Sequence, residues 1–146
     1  MKAGIDYIGV TAPYYCNDGK GNFVLQKRGK GCRDEVGRWE FGGGQVEFGE
    51  QLEKAVLREL REEYGISGRI QEQLPPRSMI RMQNGIRTHW VVAPFFVKVD
   101  TRKARIMEPE KTADIGIFRL DGLPRPLHSA SRMDLTLYRS YFDKYK

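Results

Sequence analysis

The sequence predicts a mixed α/β domain of the α+β kind, with strand-like segments before, between and after two helical ones. Two local patterns carry that assignment. Asn84-Gly85 separates two β-branched and apolar runs, a strong short hairpin signal. Residues 50–64 contain no Gly or Pro, and Leu52, Ala55, Val56 and Leu60 recur at helical spacing. The length of 146 residues fits one domain over 1–146, with no repeat, low-complexity tract or linker to divide it.

Each element has its own reason. Residues 7–15 and 23–26 are rich in β-branched and aromatic types, and the cluster 17–22 (Asn-Asp-Gly-Lys-Gly-Asn) reads as the turn of an antiparallel hairpin. A basic, Gly-rich loop follows over 27–37, then the short apolar-edged piece Trp39-Glu40-Phe41. Gly42-Gly43-Gly44 predicts unusual backbone geometry or close approach to a ligand. Gly65 stops the first helix as a C-cap. Residues 68–74 read as a strand ended by Pro75-Pro76, and 78–83 and 86–99 as the two arms of the Asn84-Gly85 hairpin. A polar loop spans 100–113, a strand 115–120 and a turn region 123–127. A final amphipathic helix is expected over 132–145, with Tyr138, Tyr141, Phe142 and Tyr145 as its packing face.

Composition excludes several classes. At 40% hydrophobic and 30% charged, the chain is not disordered. Its longest apolar stretch, 91–97, is interrupted by Pro94 and is far below the ~18–20 residues of a membrane span. Met1-Lys2-Ala3-Gly4-Ile5-Asp6 opens no signal-peptide run. The expectation is a cytoplasmic protein without a membrane partner, whose Cys16 and Cys32 are reduced thiols rather than a disulfide. Lys and Arg number 25 against 19 Asp and Glu, a net charge of +6. That excess suits nucleic acid, nucleotides or phosphorylated metabolites, and equally an idle basic surface.

The densest chemistry lies on the first helix. Glu62 and Glu63 stand three and four residues after Glu59, so the three carboxylates share a face with Leu52 and Ala55. Clustered carboxylates repel unless something positive neutralises them, and an oxygen-only set suits Mg²⁺ or Mn²⁺. A helix surface salt-bridged by Arg58 and Arg61 is the competing reading. The three glycines can bring bare backbone to the same metal or to a phosphate, and Glu50 can pair with Arg58 to brace the loop on the helix.

Gly44, five residues, Glu50, seven residues, then Arg58-Glu59-Leu60-Arg61-Glu62-Glu63-Tyr64-Gly65-Ile66 resembles the Nudix box, with every fixed position filled. Val46-Glu47-Phe48-Gly49-Glu50 resembles the MutT-like subgroup, as do Thr88-His89-Trp90-Val91 and Glu108-Pro109-Glu110-Lys111. The resemblance implies an α/β/α sandwich with a mixed sheet and a loop-helix-loop catalytic motif. It also implies a divalent-metal-dependent hydrolase of nucleoside diphosphate-linked compounds, acting by attack of water on phosphorus. Glu59, Glu62, Glu63 and the Gly43 carbonyl carry over as ligands of Mg²⁺ or Mn²⁺. Glu110 is an additional ligand, with Glu108 its rival. Glu59 is a general-base candidate, Glu63 joins it in the catalytic set, and Arg58 and Glu50 carry over as the bracing pair. Candidate substrate contacts are Arg28, Gly44 and His89. A solvated loop competes for Arg28 and plain strand packing for His89. Tyr14, Phe95 and Phe96 are either base-stacking or core. Gly42 departs from the proline usual in the family, which predicts a looser loop.

The substrate expected is a nucleoside triphosphate, oxidised ones included, cleaved to monophosphate and pyrophosphate. ADP-ribose or a nucleotide sugar is the second choice, and a non-catalytic module binding nucleotide or RNA the third. A nucleic-acid partner is not expected, since no aromatic-basic recognition motif is present. A monomer and a homodimer are both open.

Overall fold

The computed structural model describes residues 1–146. Strand β1 (Gly9–Asn17) is its axis. Across one side it pairs parallel, first with β7 (Ile86–Val92) through Gly9–Thr11 and then with β8 (Phe95–Lys98) through Tyr14–Asn17. Across the other it pairs antiparallel with β2 (Asn22–Arg28) and with β4 (Gly42–Gln45). The sheet is therefore mixed. β3 (Trp39–Glu40) and β9 (Thr112–Arg119) flank β2, β5 (Arg69–Gln73) adds to β8, and β6 (Arg77–Gln83) adds to β7.

Two predicted elements are divided. The run 86–99 breaks at Ala93-Pro94 because proline has no N–H for the ladder. Its halves stay on β1, and the Ala93 N–H donates to the Thr11 carbonyl at 2.9 Å. The last helix separates into α2 (Ser129–Leu137) and α3 (Arg139–Asp143) at Tyr138, where φ −107° and ψ 25° leave the helical region. The Tyr138 hydroxyl is tied to the Pro75 carbonyl at 2.6 Å.

Side-chain alternation along the central strands builds a core on each face of the sheet. Ala12, Tyr14, Cys16, Val24, Phe95 and Val97 meet Val56, Leu60 and Tyr64 of α1 (Leu52–Tyr64). On the other face Tyr15, Phe23, Leu25 and Phe96 meet Tyr138 and Phe142. Helices on both faces complete the α/β/α sandwich. Tyr14, Phe95 and Phe96 are fully buried core rather than base-stacking surface. Cys16 and Cys32 are free thiols.

Candidate active site

Three of the four residues of β4 are glycines, and none of the three has a positive φ. The expectation of unusual backbone geometry is corrected: β4 is ordinary extended strand, paired with β1 from Thr11↔Gln45 to Tyr14↔Gly42. Close approach by protein side chains is what demands glycine here. A Cβ on Gly42 would overlap the Tyr14 ring, one on Gly44 would overlap the Glu59 carboxylate, and one on Gly43 would lie 3.0 Å from Pro13 Cα. Gly42, buried in a strand against a phenol, is thus not the loosened loop position that the missing proline suggests.

Helix α1 packs over this strand. It buries Ala55, Val56, Leu60 and Tyr64, and it ends at Gly65, whose αL backbone (φ 67°) lets its N–H reach the Arg61 carbonyl at 3.0 Å. The same periodicity turns Glu59 and Glu63 inward over β4 and leaves Glu62 exposed. Glu63 Oε1 accepts from the Tyr14 hydroxyl and from the Gly43 N–H at 3.3 Å, while Oε2 accepts from Gln26 Nε2 at 3.4 Å. Burial pushes the Glu63 carboxyl up to about 8, and the charges of Glu59 and Glu40 add to the push against the Tyr14 hydrogen bond. Glu59 is also raised, chiefly by burial, although Arg58 opposes it.

Arg58 gathers the loop before the helix. Its guanidinium donates to Glu50 Oε2 at 2.7 Å and Oε1 at 2.9 Å, to the Gln45 carbonyl at 3.1 Å, to Glu59 Oε1 at 2.8 Å and to Glu62 Oε2 at 3.2 Å. The bidentate bond holds Glu50 down at about 2 and raises Arg58.

Between this helix and α2 lies a cavity of about 460 Å³. Its lining combines the carboxylates Glu40, Glu59, Glu63 and Glu108 with the cations Arg28, Arg77, Arg81 and Lys111, and two of these pair directly, Arg28 with Glu40 at 3.0 Å and Lys111 with Glu108 at 3.8 Å. Thr11, Val92 and Asp134 also line it. Of the predicted residues, Gly43, Gly44, Glu59, Glu63 and Arg28 line the cavity, whereas Glu50, Arg58 and Glu62 form the brace beside it. His89 does not reach the cavity. Strand alternation puts Val92 on that side of β7, so His89 faces away from it. Glu110 is exposed and outside the cavity, while its rival Glu108 is on the wall. Arg28 is already engaged, donating to both oxygens of Glu40 at 3.0 Å and to Asp34 Oδ1 at 2.8 Å.

Several groups in the cavity lining and just beside it escaped the sequence reading. Arg77 donates to Asp134 Oδ1 at 2.6 and 3.1 Å. Glu35, at φ 48°, accepts from His128 Nε2 at 2.8 Å, from the Ser129 N–H at 3.0 Å and from the Ser129 hydroxyl at 2.8 Å. That clasp fixes the loop 29–38 to the start of α2. The one available signal was Asp134 itself, a carboxylate four residues before Tyr138 on the helix's packing face.

A hard divalent ion fits this donor set by its chemistry. Glu63, buried and raised to about 8, has no cationic partner, Glu59 is raised despite Arg58, and the adjoining acceptors are oxygens. The carboxylates do not converge on one point, and no three acidic, His or Cys groups lie close enough together to enclose an ion. Arg58 and Tyr14 occupy some of the carboxylate oxygens instead.

The glycine strand, the carboxylate-bearing helix above it and the arginines thus share one cavity. A NUDIX-domain family model matches residues 8–137, and the chain belongs to the Nudix family. The crystal structure of a MutT NUDIX hydrolase from Burkholderia pseudomallei is 31% identical, with a TM-score of 0.75 over 90% of this chain and 98% of that one. A NUDIX hydrolase from Nitrosomonas europaea, 17% identical, shares the fold with a TM-score of 0.70 over 92% and 90% of the two chains. The CTP pyrophosphohydrolase of Escherichia coli (strain K12) is 42% identical over 65 residues, 44% of this chain. The chain thus spans about half of that curated relative, 46% of its length. No helix is long and apolar enough to cross a membrane.

Proposed function

We propose that the chain is a Mg²⁺- or Mn²⁺-dependent pyrophosphohydrolase of nucleoside diphosphate-linked compounds. Its preferred substrate is a nucleoside triphosphate, oxidised ones included, cleaved to monophosphate and pyrophosphate in the cytoplasm. The observation that carries this reading is that Glu59 and Glu63 line one cavity together with Arg77, Arg81 and Lys111. A polyphosphate can use both, since its anionic oxygens suit cationic side chains directly and would suit carboxylates only through a divalent ion. The E. coli relative named a CTP pyrophosphohydrolase supports the substrate class.

Glu59, Glu62, Glu63 and the Gly43 carbonyl would hold the metal, with Glu108 the nearer additional carboxylate. When bound, the ion neutralises phosphate charge and lowers the pKa of a coordinated water. Glu59 is the carboxylate that would take up a proton from an attacking water. Arg58 and Glu50 keep the loop and helix in register, and Tyr14 and Gln26 orient Glu63. Arg81 and Lys111, which line the same cavity, would meet the phosphates. The test is phosphate release, coupled to pyrophosphatase and phosphatase, with Mg²⁺ and then Mn²⁺. Substrates are normal and oxidised nucleoside triphosphates, ADP-ribose, nucleotide sugars and dinucleotide polyphosphates, with Glu63→Gln as the blank. Turnover of triphosphates with release of pyrophosphate is expected. Turnover confined to ADP-ribose or sugars would move the assignment to those, and none at all would favour a binding module.

A further inference from the structure

Strand β6 is a free edge of the sheet, paired with β7 alone. Its seven residues run in unbroken register from Arg77↔Val92 to Gln83↔Ile86, without Pro, Lys or a bulge. An edge of this kind recruits another strand unless something blunts it. The β5 edge, by contrast, has a register shift between Ile70 and Glu72. The two-residue turn, with Asn84 at φ 52° and Gly85 at φ 76°, closes the ladder with a hydrogen-bonded pair at Gln83↔Ile86. Alternate residues back from it point their backbone groups at β7, so Ser78, Ile80 and Met82 direct theirs at the open edge.

Apolar side chains flank that edge on both faces. Ile80 and Met82 are exposed on one, and Met133 and Leu137 of α2 are exposed along the groove on the other. The two arginines of the strand turn inward, Arg77 to Asp134 and Arg81 to the Ser129 hydroxyl at 3.1 Å. A net charge of +6 sets two copies of the chain to repel. Neither arginine of β6 shares the face of Ile80 and Met82, so no charge of the strand itself stands on that face of the edge.

We propose that β6 is the seam of a two-fold homodimer, in which β6 pairs antiparallel with the β6 of a second copy about Ile80. In that register Ile80 faces Ile80, Ser78 faces Met82, Met79 faces Arg81 and Arg77 faces Gln83. No like charges stand directly opposite, and Met133 and Leu137 approach their counterparts over the seam. This self-complementarity selects a second copy over a foreign strand. Arg77, Met79 and Arg81 also line the cavity, so the pairing would stiffen a wall of the site.

The test is sedimentation equilibrium of the full chain over a range of micromolar concentrations, beside Ile80→Lys and Ile80→Pro. Lysine sets like charges face to face on the axis. Proline removes an N–H that points away from β7, so the β6–β7 ladder survives, and circular dichroism checks that it does. Wild type is expected at twice the chain mass and both variants at the single-chain mass. As an independent readout, Ile80→Cys in a Cys32→Ser background is expected to form an intermolecular disulfide, because opposed residues in such a pair have Cα atoms about 5.5 Å apart. Wild type at single-chain mass throughout overturns the proposal and leaves the edge to a foreign strand. A dimer that persists in both variants overturns it too, by moving the interface elsewhere.

Discussion

The phenol of Tyr14 lies over the backbone of Gly42 and donates its hydroxyl to Glu63, so one ring fixes both the glycine strand and the carboxylate above it. Any side chain at position 42 must displace that ring. Gly42→Ala is therefore expected to cost about 1–3 kcal/mol, the range for overpacking a filled site. In a Tyr14→Leu background, where the overlapping ring atoms are gone, the same change should cost distinctly less. Urea unfolding midpoints of the four proteins measure the coupling. Strict additivity would mean that the two residues do not share the space.

Arg58 is expected to matter through the loop it holds. Arg58→Ala frees Glu50 and the Gln45 carbonyl together, so hydrogen exchange over 46–51 should accelerate while the core strands keep their protection. Misplacing the site by about 1 Å can cost on the order of 10²-fold in rate, and a loss of that order in kcat/KM is expected. Arg58→Lys should restore little, since an ammonium cannot grip both oxygens of Glu50 at once. Unchanged exchange over 46–51 in Arg58→Ala would remove the brace from the mechanism.

The Glu35–His128 clasp has a pH dependence whose sign follows from its hydrogen bonds. His128 Nδ1 accepts from the Ala130 N–H at 3.0 Å, so Nε2 carries the proton that it donates to Glu35. Burial holds His128 below its ordinary pKa, with Glu40 and Glu35 opposing; Arg28 and Arg81 add to the lowering. For Glu35 burial acts upward, but the Ser129 N–H and hydroxyl outweigh it and keep the carboxyl low. Below about pH 6.5 the unfolded chain takes up a proton at position 128 before the folded one does, and near pH 4.3 it does so at position 35. Both groups therefore withdraw stability as the pH falls. His128→Asn keeps an acceptor for the Ala130 N–H and removes the titration, so the fall that begins near pH 6.5 should flatten. Urea midpoints between pH 7 and 4 decide this, and equal slopes for the two proteins would count against it.

What was legible beforehand follows from where the information lies. Glu50, Arg58, Glu59, Glu62 and Glu63 sit within one helix and the turn before it, and helical spacing alone brings them together. The cavity's other wall comes from β6, from the loop 29–38 and from the start of α2, which meet only after the sheet has formed. Alternation says that His89 and Trp90 face opposite sides of β7, but not which side will be the cavity. The local pattern at Gly42–Gly44 announced close approach to a ligand, whereas the atoms that crowd these glycines belong to Tyr14, Pro13 and Glu59 of the chain itself.

Glu63 offers the sharpest test of the metal assignment, because its two roles predict opposite signs. In the metal-free protein its carboxyl is held up at about 8 by burial and by neighbouring carboxylates, so ionisation at neutral pH opposes folding. Glu63→Gln removes that penalty and keeps an oxygen to accept from Tyr14. The variant should therefore melt above wild type in the presence of a chelator. A bound divalent ion reverses the order, since a ligand at about 100 times its Kd adds about 2.7 kcal/mol to the state that binds it. Wild type should gain in Tm on titration with Mg²⁺ or Mn²⁺, the variant should gain far less, and its turnover should be lost. Calorimetry with and without metal, run beside the phosphate-release assay, separates the cases. Equal gains in the two proteins would place the ion away from Glu63, even if turnover were lost.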